Sequence, residues 1–154
     1  MSTYYFAYGS NMNPARMATR GMGVVSIQPG RLANLRLSFN MRVANAPGNS
    51  HANVVYEAGA EVEGVLYRLT DPAEMVKMDP FESAPRSYSR DIFPIETPAG
   101  TVPGWVYIGN QAVLEEGLRP PRDYLEHLLA GRDFLSEPYI ARLARTACAG
   151  EELP

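Results

Sequence analysis

Tyr4-Tyr5-Phe6-Ala7-Tyr8-Gly9-Ser10-Asn11, residues 4–11, combines an aromatic strand with a turn that follows it at once. Aromatic residues favour strands, and Gly9 allows backbone angles that other residues resist, so a tight turn is predicted after Tyr8. Ser10 and Asn11 would then place N–H groups and small polar side chains at the end of a sheet. Such an edge can hold an anionic or carbonyl oxygen, although a plain strand and turn explains the same residues equally well.

The composition predicts one globular domain, residues 1–154, with a sizeable core, because 45% of the 154 residues are hydrophobic and 20% are charged. The 13 prolines and 13 glycines favour a strand-rich fold over a helical bundle. A net charge of -3 without a basic block argues against nucleic acid as a partner. The single cysteine, Cys148, fits a reducing compartment. Without a secretory signal or a long apolar segment, we expect a cytoplasmic protein with no membrane partner.

The rest of the chain alternates between strand and helix patterns. Strands are predicted over 31–39, 53–57, 61–69, 87–95 and 101–108. Helices are predicted over 14–20, 71–79, 121–130 and 137–147. Neither face of segment 61–69 is cleanly polar, which indicates a sheet that is covered on both sides or curled into a barrel.

Several common catalytic and metal-binding motifs are absent from the sequence. There is no Gly-x-Ser-x-Gly segment, so Ser10 is a poor candidate for a hydrolase nucleophile. His51 and His127 have no Cys or acidic residue at ligand spacing, and we interpret them as a polar loop residue and an exposed helix residue. Cys148 is interpreted as a small apolar filler. No metal site and no cofactor are therefore predicted.

Glu82 is the strongest candidate for acid–base chemistry outside the N-terminal segment. It lies between a predicted helix and a predicted strand, among proline and aromatic neighbours. Burial there would raise its pKa and allow it to act as a general base near neutral pH. From local sequence alone, a solvated loop glutamate is the commoner case. Three tyrosines are further candidates for either the site or the core: Tyr88, Tyr107 and Tyr124.

Four segments together resemble the γ-glutamylcyclotransferase family, which includes the AIG2-like proteins. Tyr5-Phe6-Ala7-Tyr8-Gly9-Ser10-Asn11 is similar to the substrate-loop signature of that family, and Val62-Glu63-Gly64-Val65-Leu66-Tyr67 is similar to its central strand. Met78-Asp79-Pro80-Phe81-Glu82 resembles its acidic segment. Pro121-Arg122-Asp123-Tyr124, followed by Leu128-Leu129-Ala130-Gly131, resembles a helix whose tyrosine contacts substrate. The segments occur in the family's order over most of the chain.

The resemblance implies an α+β fold, a small mixed β-barrel of about six strands with peripheral helices. It implies that Glu82 is the catalytic general acid/base and that Tyr124 binds substrate. The loop residues implied to bind substrate are Tyr5, Phe6, Ala7, Tyr8, Gly9, Ser10 and Asn11. It also implies a small-molecule γ-glutamyl substrate, no cofactor and, by resemblance only, a homodimer.

The implied reaction cyclises a γ-glutamyl amino acid or amine to 5-oxoproline and releases the attached amine. Two departures concern substrate identity: Ser83 follows the glutamate where the family often has glycine, and Asn11 stands where the glutathione-specific and γ-glutamylamine branches typically have leucine. Two alternatives remain open. One is deprotection of another γ-glutamyl metabolite, such as a natural product or a polyamine. The other is a non-catalytic member of the fold that binds a small ligand.

Overall fold

Five strands form the centre of the protein in a computed structural model, which describes residues 2–151. They are β1 (Thr3–Ala7), β2 (Val24–Arg42), β3 (Ser50–Leu69), β4 (Tyr88–Thr97) and β5 (Gly100–Gly109). They close into a barrel in the order β1-β3-β2-β4-β5. All neighbours are antiparallel except β1 and β5, which close the barrel in parallel at Tyr5 and Trp105. The predicted α+β barrel is confirmed.

The structure has five strands, whereas the sequence predicts about six. The difference arises in the antiparallel pair of β2 and β3. Segments 53–57 and 61–69 are not separate strands, because β3 runs continuously through Gly59. Gly59 adopts φ of 83°, and its N–H donates to Oδ1 of Asn34 at 3.0 Å. The register shifts on the facing strand between Ala33 and Leu35. The extra residues are thus absorbed in a bulge that bends the ladder without ending it.

The ring of Phe6 fills the interior of the barrel and is fully buried. A Cβ atom added to Gly64 would lie 2.7 Å from this ring, and one added to Gly30 would lie 3.1 Å from it. Both distances are shorter than ordinary van der Waals contact. The two glycines are therefore needed because larger residues would displace the ring, as is typical where strand glycines allow a close approach.

Four helices lie outside the barrel: α1 (Pro14–Thr19), α2 (Ala73–Met78), α3 (Arg122–Leu129) and α4 (Glu137–Ala144). Helix α1 begins as predicted, with Pro14 at its first position and the side chain of Asn13 accepting from the N–H of Ala15 at 3.1 Å. Cys148 is buried in the apolar cluster beneath these helices, in keeping with a filler role. None of the helices within residues 2–151 is long and apolar enough to cross a membrane.

Candidate active site

The N-terminal strand and turn have the predicted form. Strand β1 ends at Ala7, and a 3-10 turn over Ser10–Met12 leads to α1. Gly9 has a φ of −114°, so a left-handed conformation does not explain the glycine. A Cβ atom at this position would instead lie 2.8 Å from the hydroxyl oxygen of Tyr124. Glycine is required here because Tyr124 approaches the backbone closely.

A second 3-10 turn, Asp79–Glu82, follows α2 and carries the candidate general base. Arg90 donates from Nε and Nη2 to the two carboxylate oxygens of Asp79 at 2.8 and 3.2 Å, and the Tyr107 hydroxyl donates to Asp79 at 2.7 Å. The guanidinium of Arg90 also stacks on the ring of Trp105 at 4.4 Å. Arg90 lies on β4 and Tyr107 on β5, so these contacts tie the turn to the barrel wall and define the position of Glu82.

Asn11 connects the N-terminal turn to Glu82. The residue is 2% exposed, and its Nδ2 donates to Oε1 of Glu82 at 3.0 Å and to the hydroxyl oxygen of Tyr5 at 2.9 Å. Its backbone carbonyl accepts from the Tyr67 hydroxyl at 2.6 Å. Asn11 therefore orients the carboxylate, a role more specific than the substrate contact implied by the resemblance.

The carboxylate of Glu82 is mostly buried, with 18% of its side chain exposed. Nη1 of Arg20 lies 3.6 Å from Oε1 of Glu82 and donates a shorter bond, 2.9 Å, to Oδ1 of Asn11. Burial raises the pKa of Glu82, and although Arg20, Arg16 and the bond from Asn11 act in the opposite direction, the net shift is upward. A glutamate with a raised pKa can accept and return a proton near neutral pH.

Glu82 faces a cavity of about 60 Å³ between the two turns. Most of the residues predicted for the site line this cavity. They are Tyr5, Tyr8, Gly9, Ser10, Asn11, Glu82, Tyr88, Tyr107 and Tyr124. Segments that are far apart in the sequence thus meet at one place, as the resemblance implied.

The cavity tyrosines differ in whether their hydroxyl protons are already used. Tyr8 donates to the carbonyl of Tyr107 and Tyr88 donates to the carbonyl of Ala52, both at 2.6 Å. The Tyr124 oxygen instead accepts from the N–H of Ala52 at 2.9 Å, and its own proton has no acceptor within residues 2–151. Burial raises the pKa of Tyr124, so the hydroxyl stays protonated and can donate to a bound molecule.

Phe6 and Ala7 are the two predicted site residues that do not reach the cavity. The Phe6 ring lies inside the barrel, and Ala7 is buried in the apolar cluster on the other side of β1. Successive residues of a strand point to opposite faces, and here both positions are used for packing. The resemblance marked the whole segment because it matches a continuous motif, which does not separate lining residues from core residues.

Arg16, Arg20 and His51 also line the cavity, and none of them was predicted to do so. The two arginines are four residues apart directly after the N-terminal motif, a spacing that places both on one side of a helix and could have identified them. His51 is not a loop residue, because it lies in β3 and its ring stacks on Tyr124 with centroids 4.3 Å apart. Burial and the two arginines lower the pKa of His51.

A larger groove of about 640 Å³ adjoins the cavity. His51, Phe81, Glu82 and Tyr88 line both spaces. The outer walls of the groove come from residues 41–49, from 83–87 and from the segment around Glu115. Glu82 thus lies at the junction of a small polar cavity and a wide groove.

Comparisons with known proteins agree with this architecture. The family model described as gamma-glutamyl cyclotransferase, AIG2-like, matches residues 5–127. A solved gamma-glutamyl cyclotransferase is similar with a TM-score of 0.84 and 20% identity over 100% of this chain and 93% of that chain. YkqA from Bacillus subtilis has a TM-score of 0.74 and 25% identity, over 94% of this chain and 53% of that chain. A yeast gamma-glutamyl cyclotransferase specific to glutathione has a TM-score of 0.67 and 11% identity, over 92% of this chain and 93% of that chain. No match is found among curated proteins.

Proposed function

The chain belongs to the family described as gamma-glutamyl cyclotransferase, AIG2-like, and from this membership we propose that it cyclises a γ-glutamyl amino acid or amine to 5-oxoproline. The amine that was attached to the γ-carbonyl is released. The observation that carries the proposal is the carboxylate of Glu82, which has a raised pKa and faces a small cavity walled by protonated tyrosines.

The reaction is an intramolecular aminolysis. The α-amine of the γ-glutamyl group attacks the γ-carbonyl carbon, a C–N bond closes a five-membered ring, and the original amide C–N bond breaks. Nucleophile and electrophile belong to one molecule, so no covalent enzyme intermediate is needed. The protein has to fold the substrate into the attack geometry and move protons.

Glu82 is proposed to move the protons. An α-amine has a pKa of about 8 and is mostly protonated at neutral pH, so a base must remove a proton before or during attack. The carboxylic acid that results can then protonate the leaving nitrogen. The bond from Asn11 keeps one carboxylate oxygen in place during this exchange. A raised pKa suits both steps because it brings the proton affinity of the Glu82 carboxylate closer to that of the amine.

The γ-carbonyl oxygen gains negative charge during attack and needs hydrogen-bond donors. The free hydroxyl proton of Tyr124 is one candidate donor. The N–H of Asn11 is another, because the first N–H groups of a helical turn have no acceptor within it and that of Ser10 already interacts with Tyr124.

The leaving amine is proposed to occupy the groove, which shares Glu82 with the cavity. Its volume, about 640 Å³, is within the range of pockets that hold drug-sized ligands. This size favours a second candidate, removal of a γ-glutamyl group from a larger metabolite. The same residues would perform the same chemistry on a different leaving group.

The test is release of 5-oxoproline from a panel of γ-glutamyl-alanine, γ-glutamylethylamine, a γ-glutamyl polyamine and glutathione. Glu82→Gln protein assayed in parallel sets the background. Product from one class above that background identifies the substrate. Binding without product from any class would favour the non-catalytic alternative and contradict the proposed reaction.

A further inference from the structure

Arg16 carries a guanidinium in the cavity wall that has no anionic partner. It lies on α1, one turn before Arg20, and within residues 2–151 it forms no ion pair. Its Nε–H is buried and has no hydrogen-bond acceptor among the described residues. A buried donor without an acceptor is costly, so the group needs an explanation, and a bound ion or ligand nearby is one.

The neighbouring His127 does not supply the missing acceptor. Oδ1 of Asn13 accepts from the N–H of Ala15, which directs its Nδ2 to donate to Nδ1 of His127 at 3.0 Å. Burial and Arg16 lower the pKa of His127, so the neutral ring carries its one proton on Nε2. That nitrogen lies 3.5 Å from Nη1 of Arg16. Two donors therefore face each other, and no hydrogen bond joins them.

The charges around the cavity leave a surplus of positive charge. Arg20 is already engaged with Asn11, with Glu82 and with the ring of Phe81, which lies 4.9 Å from its guanidinium. Glu82 is the one carboxylate that lines the cavity within residues 2–151, against two guanidinium groups. Asp123 acts to raise the pKa of His51 and His127 but is exposed and lies outside the lining. An anionic group from a ligand would restore the balance.

We propose that Arg16 binds the α-carboxylate of the γ-glutamyl group. This rests on the proposed function. Arg16 lines the small cavity but not the groove, so it faces the part of the substrate that forms the ring and not the leaving group. A carboxylate in the cavity would pair with the guanidinium of Arg16, a group that favours carboxylate partners. The donors of the N-terminal turn and Tyr124 then remain for the γ-carbonyl oxygen.

The test pairs a variant with a substrate that lacks the same charge. Arg16→Gln should lower kcat/KM for γ-glutamyl-alanine by about 10- to 100-fold, mainly through KM. It should have little effect on 4-aminobutanoyl-alanine, which lacks only the α-carboxylate. Arg16→Lys should restore part of the loss. Arg145→Gln, which removes an exposed arginine at the end of α4, is the matched control and should behave as the unmodified protein.

A third substrate separates the two carboxylates of γ-glutamyl-alanine. Arg16→Gln should impair turnover of γ-glutamylethylamine, which has no carboxylate on the leaving group, as much as that of γ-glutamyl-alanine. Loss of the effect with γ-glutamylethylamine would assign Arg16 to the leaving group and overturn the proposal. An equal effect on 4-aminobutanoyl-alanine would also overturn it.

Binding of 5-oxoproline measured by calorimetry keeps this test independent of turnover. The unmodified protein should bind 5-oxoproline, and Arg16→Gln should weaken binding by a similar 10- to 100-fold while thermal unfolding confirms a folded variant. If no substrate gives product, the proposed function fails, and the same calorimetry still decides the role of Arg16. Equal binding by both proteins, or no binding by the unmodified protein, would overturn the inference.

Discussion

Asp79 and Glu82 are carboxylates of one 3-10 turn, three residues apart, yet their pKa values are shifted in opposite directions. Burial tends to raise the pKa of each. At Asp79 the bonds from Arg90 and Tyr107 outweigh burial, and the pKa is lowered. At Glu82 burial outweighs Arg20, Arg16 and Asn11, and the pKa is raised. Asp79 is held as an ionised anchor, whereas Glu82 is left able to exchange a proton.

Part of the difference lies in how completely each carboxylate is paired, and part in the deeper burial of Glu82. Arg90 makes two hydrogen bonds to Asp79, at 2.8 and 3.2 Å. Arg20 makes its short bond to Asn11 and stands 3.6 Å from Glu82. A guanidinium shared in this way neutralises its neighbour less than a bidentate one. Partner geometry and the deeper burial of Glu82 together separate a carboxylate with a lowered pKa from one with a raised pKa.

The largest effect is expected from Glu82→Gln. Loss of the proton acceptor should lower the rate of 5-oxoproline release by about 100-fold or more. Because the folded state raises the pKa of Glu82, its stability contribution is present below the unfolded pKa and is lost as pH rises through the folded pKa. Glutamine is neutral and removes the buried negative charge that Glu82 can carry. Unfolding experiments at pH 7 should therefore show equal or higher stability for the variant. Glu126→Gln, at an exposed helix position, is the matched control, and a comparable loss of rate there would contradict the assignment.

Asp79→Asn should have the converse effect, mainly on stability. The Asp79–Arg90 pair is about a quarter exposed, so we expect a loss of about 2 kcal/mol in the free energy of unfolding, below the value for a fully buried pair. The lowered pKa means that the contribution of Asp79 is present above its unfolded pKa and is lost as pH falls through the folded pKa. Urea unfolding at pH 7 and at pH 3 measures it. The difference between the two proteins should shrink at pH 3, and a constant difference would exclude the ion pair as the cause.

The smallest effect concerns the residue that ends the turn. Ser83 adopts φ of 50°, the left-handed region that favours glycine. Ser83→Gly should therefore stabilise the protein by about 0.5–1 kcal/mol while leaving the hydrogen bonds of Asp79 and Glu82 unchanged. Asn34→Gly is the matched control: Asn34 has φ of 64°, but its side chain binds the N–H of Gly59, so no gain is expected there. Thermal unfolding of both variants compares them, and destabilisation by Ser83→Gly would contradict this explanation.

Much of the fold could be predicted from the sequence, because its signals are local. The cap at Asn13 and the hairpin of β4 and β5 follow from residue types at short spacing. The continuity of β3 could not be predicted. In the sequence, Gly59 looks like the end of a strand. The hydrogen bond from its N–H to the facing Asn34 shows that the two strands stay paired there.

The candidate site also contains residues that the sequence predicts and contacts that it does not predict. Glu82 and Tyr124 fall on motifs of the resemblance, whereas Tyr88 and Tyr107 are candidates only as aromatic strand residues. The Asn11–Glu82 bond joins residues 71 positions apart, and no local pattern reports such a contact. The loop prediction for His51 is wrong because its strand begins at Ser50, inside a segment with the composition of a loop. The homodimer and the cytoplasmic location stay predictions.

Carboxyl ¹³C NMR titration of Asp79 and Glu82 in one sample tests the central claim most directly. Asp79→Asn and Glu82→Gln proteins would assign the two signals by their loss. We predict that Asp79 titrates below the usual aspartate pKa and that Glu82 titrates above the usual glutamate pKa. A Glu82 signal that titrates at or below the usual glutamate value would contradict the account, because the cavity would then hold an ordinary carboxylate with no special capacity to exchange protons near neutral pH.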